Sequence, residues 1–196
     1  NKEDNLFDKF FNEIKQLPYN DIQIFAHNGG KFDNIYAKEA KTVKFQSVIA
    51  KGGQIKQLVV ETEYLGEKKI YKMKDTLPFV LQSLKVACKM FNTSVKKLDF
   101  DIVDKSYEWY EEHKESKDPK TDWRQYLRND VESLADLMLK IEQAYNKFGT
   151  SILWATGLAG LAYHMMNSYC LGMRKLYVPK DPSMVAFCRA SIYGGR

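Results

Sequence analysis

A long series of apolar residues at helical spacing between Trp123 and Tyr145 constrains this chain more than any other part of its sequence. The pattern predicts an amphipathic helix in which Tyr126 and Asp130 stand one turn apart on the same face. A carboxylate on a face that packs into the core has to be paired, hydrogen-bonded or metal-bound, because its bare burial is costly. The alternative is an ordinary aspartate near the edge of that face. Thr121 is the predicted N-cap. The apolar positions are Trp123, Tyr126, Leu127, Val131, Leu134, Leu137, Met138, Ile141 and Tyr145.

A second constraint is the apolar stretch from Ile22 to Ala26, which predicts a buried strand that ends at the turn Asn28-Gly29-Gly30. Sheets of α/β proteins usually place their chemistry at the carboxyl ends of strands. Asn28 and Phe32 could hold a single nucleic-acid strand there, one by a hydrogen bond and the other by base stacking. Asp33 then adds a carboxylate. The alternative is that Asp33 only favours the dipole of a short helix.

The rest of the chain predicts a β-meander laid against this strand, over residues 43–49, 55–64 and 69–73. Helices are predicted from residue 6 to about 16–18, and over residues 33–40, 76–91, 107–114, 156–170 and 182–191. The helix over residues 76–91 is expected to be interrupted, or to start, around Pro78. The fold class is therefore α/β, with a mixed sheet flanked by helices and a helical segment at the C-terminal end. The domain boundary is placed near residue 150.

Charge and composition narrow the class of protein without fixing it. The formal net charge is +5, with 30 basic and 25 acidic residues, which suits a polyanionic partner such as nucleic acid. The three cysteines predict buried thiols rather than disulfides, and no zinc-like spacing joins them to histidines. No apolar run is long enough for a membrane span, and the first residues do not resemble a signal peptide.

Two further patches are candidate edges of a binding groove. Asp75, Thr76 and Leu77 follow the last strand of the meander, and Lys97 lies in the polar stretch after the next helix. Each has a simpler interpretation, since Asp75 or Thr76 could cap a helix and Lys97 could be one of many solvated lysines. Their order along the chain favours a functional interpretation.

That order resembles the family B DNA polymerases of the protein-primed branch. The shared pattern is Asn-x-x-x-Phe-Asp, Thr-Leu-x-x-Val, Lys-x-Asp-Phe, Tyr-x-x-x-Asp and a Gly-Gly turn, and it covers residues 27–196. In this family the first four patches belong to the 3′-5′ proofreading exonuclease domain. The resemblance implies a ribonuclease-H-like exonuclease fold for residues 1–150 and a helical connector toward a polymerase domain for residues 151–196.

The resemblance also implies roles for individual residues. Asp33 and Asp130 match metal-binding carboxylates, Tyr126 matches a residue that orients the attacking water or phosphate, and Lys97 matches one that helps to place the scissile phosphate. The matches to DNA-binding residues are His27, Asn28, Phe32, Thr76 and Leu77, with Tyr193, Gly194 and Gly195 in a Tyr-x-Gly-Gly-like linker. Ile192 stands where the family usually has tyrosine.

The implied cofactors are two divalent ions, Mg²⁺ or Mn²⁺, and the implied partners are single-stranded DNA, primer-template DNA and a terminal protein. The family's Asp-x-Glu motif on an earlier strand has no counterpart in residues 1–19, and Glu61-Thr62-Glu63 comes too late in the order. The chain is therefore expected to bind single-stranded DNA weakly and to cut it poorly by itself. An intracellular location is expected, of viral, linear-plasmid or mitochondrial origin. The alternatives are a stand-alone ribonuclease-H-like exonuclease and a non-catalytic nucleic-acid-binding module.

Overall fold

A computed structural model describes residues 5–98, 105–118, 120–171 and 180–190 of the chain. The strands are β1 (Asp21–Ala26), β2 (Lys44–Lys51), β3 (Gln54–Tyr64) and β4 (Glu67–Asp75). The helices are α1 (Leu6–Ile14), α2 (Asp33–Ala37), α3 (Leu77–Val80), α4 (Leu84–Met90), α5 (Tyr107–Glu112), α6 (Trp123–Asn146), α7 (Leu158–Met165) and α8 (Pro182–Ala190). A π-helix, Met166–Cys170, continues α7, and single 3-10 turns occupy Gly29–Lys31 and Ile152–Trp154.

The four strands form one mixed sheet in the order β1-β4-β3-β2. The antiparallel meander predicted from the sequence is present, with β2 paired to β3 and β3 paired to β4. Gly52 and Gly53 make its first turn, where φ values of +60° and +74° suit glycine. β1 pairs in parallel with β4, so that Ala26 lies opposite Asp75. The carboxyl ends of these two strands therefore meet at one edge of the sheet.

Helices cover both faces of the sheet. Ile22 and Ile24 of β1 pack on one face against the cluster that contains Phe11 of α1, where Phe11 stacks on Tyr71 at 5.5 Å between ring centroids. Phe25 points to the other face and packs against a cluster built from α3, α4, α6 and α7. This alternation is expected for a strand that is covered on both sides. The second cluster contains Phe79, Leu84, Ala87, Cys88, Leu137, Met138, Ile141, Ile152, Ala155 and Leu161.

A buried lysine joins the sheet to the segment after α6. Lys74 of β4 is 2% exposed, and its Nζ donates to the carbonyl oxygens of Leu153 at 2.7 Å and Ala155 at 3.2 Å. Burial lowers the pKa of Lys74 to about 8. Two carbonyl dipoles thus take the place of a carboxylate partner for this ammonium group.

The structure corrects two helix predictions. The helix predicted over residues 76–91 is divided into α3 and α4, because Leu81 adopts a left-handed conformation with φ of +54° and Ser83 caps α4 through the backbone N–H of Val86. The N-cap of α6 is Asp122, whose carboxylate accepts a hydrogen bond from the N–H of Gln125 at 3.0 Å. The prediction of Thr121 as the cap was therefore wrong by one residue.

Other corrections concern burial. Leu127 and Val131 are among the apolar positions at helical spacing in α6, but they are 53% and 69% exposed. Cys88 is buried as expected, whereas Cys188 is exposed. In the part of the chain that the structure describes, no helix is both long enough and apolar enough to cross a membrane.

Candidate functional site

The site begins where β1 and β4 end side by side. The backbone N–H of Thr76 donates to the carbonyl oxygen of Ala26 at 3.0 Å, and Nδ1 of His27 lies 2.9 Å from the hydroxyl of Thr76. Burial lowers the pKa of His27, against the attraction of Asp75. The two strand ends are thus joined by side chains as well as by the ladder.

The turn after β1 is held in place by the buried carboxylate of Asp75. Gly30 donates its backbone N–H to the buried carboxylate of Asp75 at 3.1 Å, and the other oxygen of Asp75 accepts from the N–H of Leu77 at 2.9 Å. A Cβ on Gly30 would lie 2.6 Å from the carbonyl oxygen of Ile55 and 2.7 Å from Asp75, so only glycine fits. The buried amide of Asn34 donates to that same carbonyl at 3.0 Å.

This turn forms one side of a cleft of about 710 Å³. We call residues 28–33 the turn wall. Asn28 has a left-handed backbone with φ of 61°, and its Oδ1 is buried without a hydrogen-bond partner among the described residues. Phe32 is 57% exposed, and Asp33 is also exposed. Asn28, Lys31, Phe32 and Asp33 all line the cleft.

The opposite side is formed by α6 and the loop that precedes α5. Nζ of Lys97 donates to Oδ2 of Asp130 at 2.6 Å and to the hydroxyl of Tyr126 at 2.7 Å, and it lies 4.6 Å from the centroid of the Tyr126 ring. We call these three residues the helix wall. Burial by itself would lower the pKa of Lys97, but the bonds to Asp130 and Tyr126 outweigh it and the pKa is raised.

Side chains of α6 fix the position of this loop. Oδ1 of Asn129 accepts from the backbone N–H of Leu98 at 3.1 Å, directly after Lys97. Oδ2 of Asp136 accepts from the N–H of Ser94 and, at 3.4 Å, from that of Val95. Lys97 is therefore fixed from both sides to the helix that carries its partner.

Asp130 keeps one carboxylate oxygen that a divalent cation could take. Asp130 uses Oδ2 for Lys97, while its Oδ1 is buried and has no hydrogen-bond partner in the described chain. Carboxylate oxygens are the ligands that Mg²⁺ and Mn²⁺ prefer. Within the described ranges there is no group of three or more His, Cys, Asp or Glu side chains that could hold a metal.

The structure brings most of the predicted site residues to one cleft. His27, Asn28, Phe32, Asp33, Leu77, Lys97 and Asp130 line it. Thr76 and Tyr126 are buried beneath it and contact His27 and Lys97, respectively. Any contact of Thr76 with a bound strand would therefore pass through His27. Tyr193, Gly194 and Gly195 lie outside the described residues.

Sequence reasoning missed several residues of this site. Lys31 and Val131 line the cleft, and Asn129 and Asp136 position its helix wall. A charge pattern gave no signal for Lys31, since lysines are common throughout the chain. Val131 was recognised only as an apolar position of the helix, because helical spacing does not distinguish the core from the lining of a cleft.

A family comparison defines the class of the protein. The profile of the family described as DNA polymerase type B, organellar and viral, matches residues 14–196. The chain therefore belongs to this family, and the predicted resemblance is confirmed. A search of curated proteins finds no match.

Solved structures show the same fold. Phi29 DNA polymerase in complex with primer-template DNA and incoming nucleotide substrates superposes with a TM-score of 0.65 at 18% sequence identity, covering 93% of this chain and 31% of that chain. An orthorhombic crystal form of Phi29 DNA polymerase gives a TM-score of 0.64 at 18% identity, covering 96% of this chain and 33% of that chain. The chain thus spans about a third of these structures, and the predicted α/β fold class is confirmed.

Proposed function

We propose that this chain supplies the 3′-5′ exonuclease region of a DNA polymerase, in which a single-stranded primer end enters the cleft and its terminal phosphodiester is hydrolysed. One observation carries the proposal: Asp33 and Asp130, which are far apart in sequence, line the same cleft together with Lys97. Membership in a DNA polymerase family supports it. The proposed partners are single-stranded and primer-template DNA, with a terminal protein as a further partner of the full polymerase.

Asp33 and Asp130 would hold Mg²⁺ or Mn²⁺, with two ions and additional acids in the complete site. Such ions stabilise the charge that develops on the oxygens of a phosphoryl group. Asp130 is suited to this role because one of its oxygens is held by Lys97 and the other has no partner in the described chain. Asp33 has an exposed carboxylate on the facing wall.

Lys97 and Tyr126 act as a unit. The ammonium group of Lys97 stays charged at neutral pH because its pKa is raised, so it can offset negative charge on a phosphate in the cleft. The buried hydroxyl of Tyr126 accepts from this ammonium and orients it. We therefore propose that Tyr126 acts indirectly: it positions Lys97, which in turn contacts the phosphate or orients the nucleophile.

The turn wall would hold the nucleotide at the end of the strand. The exposed ring of Phe32 offers a surface for base stacking, and Oδ1 of Asn28 is a buried acceptor without a partner among the described residues. His27, supported by Thr76, lines the same cleft beside Leu77. These groups give contacts that do not depend on the base sequence.

The test measures DNA binding and metal binding in parallel. Fluorescence anisotropy with a 5′-labelled single-stranded oligonucleotide, and calorimetry with Mn²⁺, are applied to the wild-type chain, the double variant D33A/D130A and the control E39Q. Glu39 is an exposed acid outside the cleft. We expect the double variant to lose the Mn²⁺ signal and E39Q to retain it. Equal Mn²⁺ binding by all three proteins would contradict the proposal.

A second candidate is a nucleic-acid-binding module without catalysis. The lack of a three-ligand group among the described residues favours it, since two acids form only a partial site. Incubation of the labelled oligonucleotide with Mg²⁺ or Mn²⁺ distinguishes the two candidates. We predict slow metal-dependent shortening from the 3′ end, abolished in D33A/D130A. Salt-sensitive binding together with no Mn²⁺ signal and no shortening would support the binding module instead.

A further inference from the structure

Three basic side chains line the cleft: His27, Lys31 and Lys97. Lys97 is already bonded to Asp130 and Tyr126. His27 lies on the hydroxyl of Thr76, and burial lowers its pKa, which keeps the imidazole neutral at pH 7. Lys31 is exposed and forms no ion pair with any residue that the structure describes. Among the described residues of the cleft, Lys31 is therefore the lysine without an ion-pair partner.

The backbone of Lys31 is fixed although its side chain is not. Its N–H donates to the carbonyl oxygen of Asn28 at 3.2 Å, and it directly follows Gly30, which is enclosed by Ile55 and Asp75. Lys31 is followed by the exposed ring of Phe32 and then by Asp33. Three consecutive residues of one turn thus present a cation, an aromatic ring and a carboxylate to the cleft.

We propose that Lys31 forms an ion pair with a backbone phosphate of the bound single strand, next to the nucleotide that stacks on Phe32. A strand that stacks a base on Phe32 and brings a phosphate toward Asp33 occupies the same cleft that Lys31 lines. Lys31 supplies the charge that this strand needs, because Lys97 faces it from the other wall with its charge already shared with Asp130. This inference rests on the proposed function. The simpler interpretation is a solvated lysine that no ligand touches.

Salt dependence of binding gives the first test. The affinity of the chain for a single-stranded oligonucleotide is measured between about 50 mM and 1 M salt for wild type, K31Q and K38Q. Lys38 is an exposed lysine at the end of α2 that does not line the cleft. Loss of one phosphate contact reduces the slope of log K against log salt by about 0.7. K31Q should therefore bind about eightfold more weakly at 50 mM and about threefold more weakly at 200 mM, while K38Q keeps the wild-type slope.

A double-mutant cycle then identifies the phosphate. Single methylphosphonate linkages, which carry no charge, are placed in turn at the last four positions of the oligonucleotide. At one position near the 3′ end the neutral linkage should weaken wild type and K38Q but leave K31Q unchanged. Additive losses at every position, or equal salt slopes for K31Q and wild type, would overturn the inference. A wild-type chain that binds without salt dependence would instead count against the proposed function.

Discussion

The two walls of the cleft are built in opposite ways. On the helix wall, Asp130 is held by Lys97, Lys97 is held by Tyr126, and their loop is fastened to α6 by Asn129 and Asp136. On the turn wall the backbone is locked at Gly30, while the side chains of Phe32 and Asp33 face solvent. One wall is rigid in its side chains and the other in its main chain.

The difference shows how one site can combine a carboxylate in a fixed position with side chains that adapt to the bound nucleotide. A carboxylate that already has a cationic partner keeps its position before a ligand arrives, which favours preorganised electrostatics. Exposed groups on a fixed backbone can rotate to follow nucleotides of different shape. Substitutions should therefore affect the two walls differently. On the turn wall the free energy of unfolding should be sensitive to changes that disturb the backbone, and on the helix wall to the loss of side-chain contacts.

The largest effect is expected for Gly30→Ala. The new Cβ would lie 2.6 Å from Ile55 O and 2.7 Å from Asp75, and overpacking of this kind costs about 3 kcal/mol of unfolding free energy at its upper range. Gly66→Ala is the control, since Gly66 has φ of +78° but no atom near its Cβ position, and a loss of about 1 kcal/mol is expected there. Urea denaturation measures both. Equal losses would show that the turn wall is not locked by packing.

A direct comparison of the two acids comes next. Asp130→Ala leaves Lys97 without its carboxylate partner, and we expect it to lower the free energy of unfolding by about 2 kcal/mol. Asp33→Ala should change the unfolding free energy by less than about 0.5 kcal/mol, since its exposed side chain has no ion pair among the described residues. Both variants should weaken Mn²⁺ binding in calorimetry. A larger loss of stability in Asp33→Ala would reverse the roles of the walls.

The helix wall should also depend on pH. The pKa of Lys97 is raised in the folded state above the ordinary 10.5, so its contribution to stability is complete below pH 10.5 and is lost as the pH rises beyond that value. At pH 8 the free energy of unfolding of the wild type should exceed that of Lys97→Met by about 1 kcal/mol. The difference is modest because the Lys97–Asp130 pair is about a quarter exposed, and it should disappear at higher pH. Thermal unfolding over pH 8–11.5 tests this. A constant difference across that range would contradict the raised pKa.

The last comparison concerns the attachment of the loop to α6. Asn129→Ala removes the acceptor for the N–H of Leu98 and should cost about 1 kcal/mol. The adjacent exposed residue provides the control, and Arg128→Ala should remain within about 0.5 kcal/mol of wild type. Differential scanning calorimetry separates the two. No difference between them would mean that Lys97 is positioned without Asn129.

Periodicity predicted the elements that carry the site but not the details of their ends. The strand before Asn28 and the long helix around Asp130 were correct because their apolar residues alternate or recur over several turns. The break at Leu81 was missed, since leucine rarely adopts a left-handed conformation and apolar spacing continues across it. Thr121 and Asp122 are both good caps, so the sequence could not choose between them.

The relation between the two walls could not be derived from either one alone. Asp33 and Asp130 were connected by the order of motifs that the family shares, and no local pattern states that a helix will pack beside a turn so distant in sequence. The same limit explains Lys31. The proposed contact of Lys31 with a phosphate depends on which lysines of the cleft have an ion-pair partner. The sequence does not show this, because the partners come together only in the folded cleft.

The buried contact of Lys74 has a mechanical consequence. A force that pulled Leu153 and Ala155 away from the sheet would strip an ammonium group of both its carbonyl acceptors in a dry environment. The residue after Lys74 is Asp75, whose carboxylate accepts from the backbone N–H of Gly30. Lys74 therefore links the segment after α6 to the strand whose last residue positions the turn wall, in addition to the apolar contacts of Ile152 and Ala155.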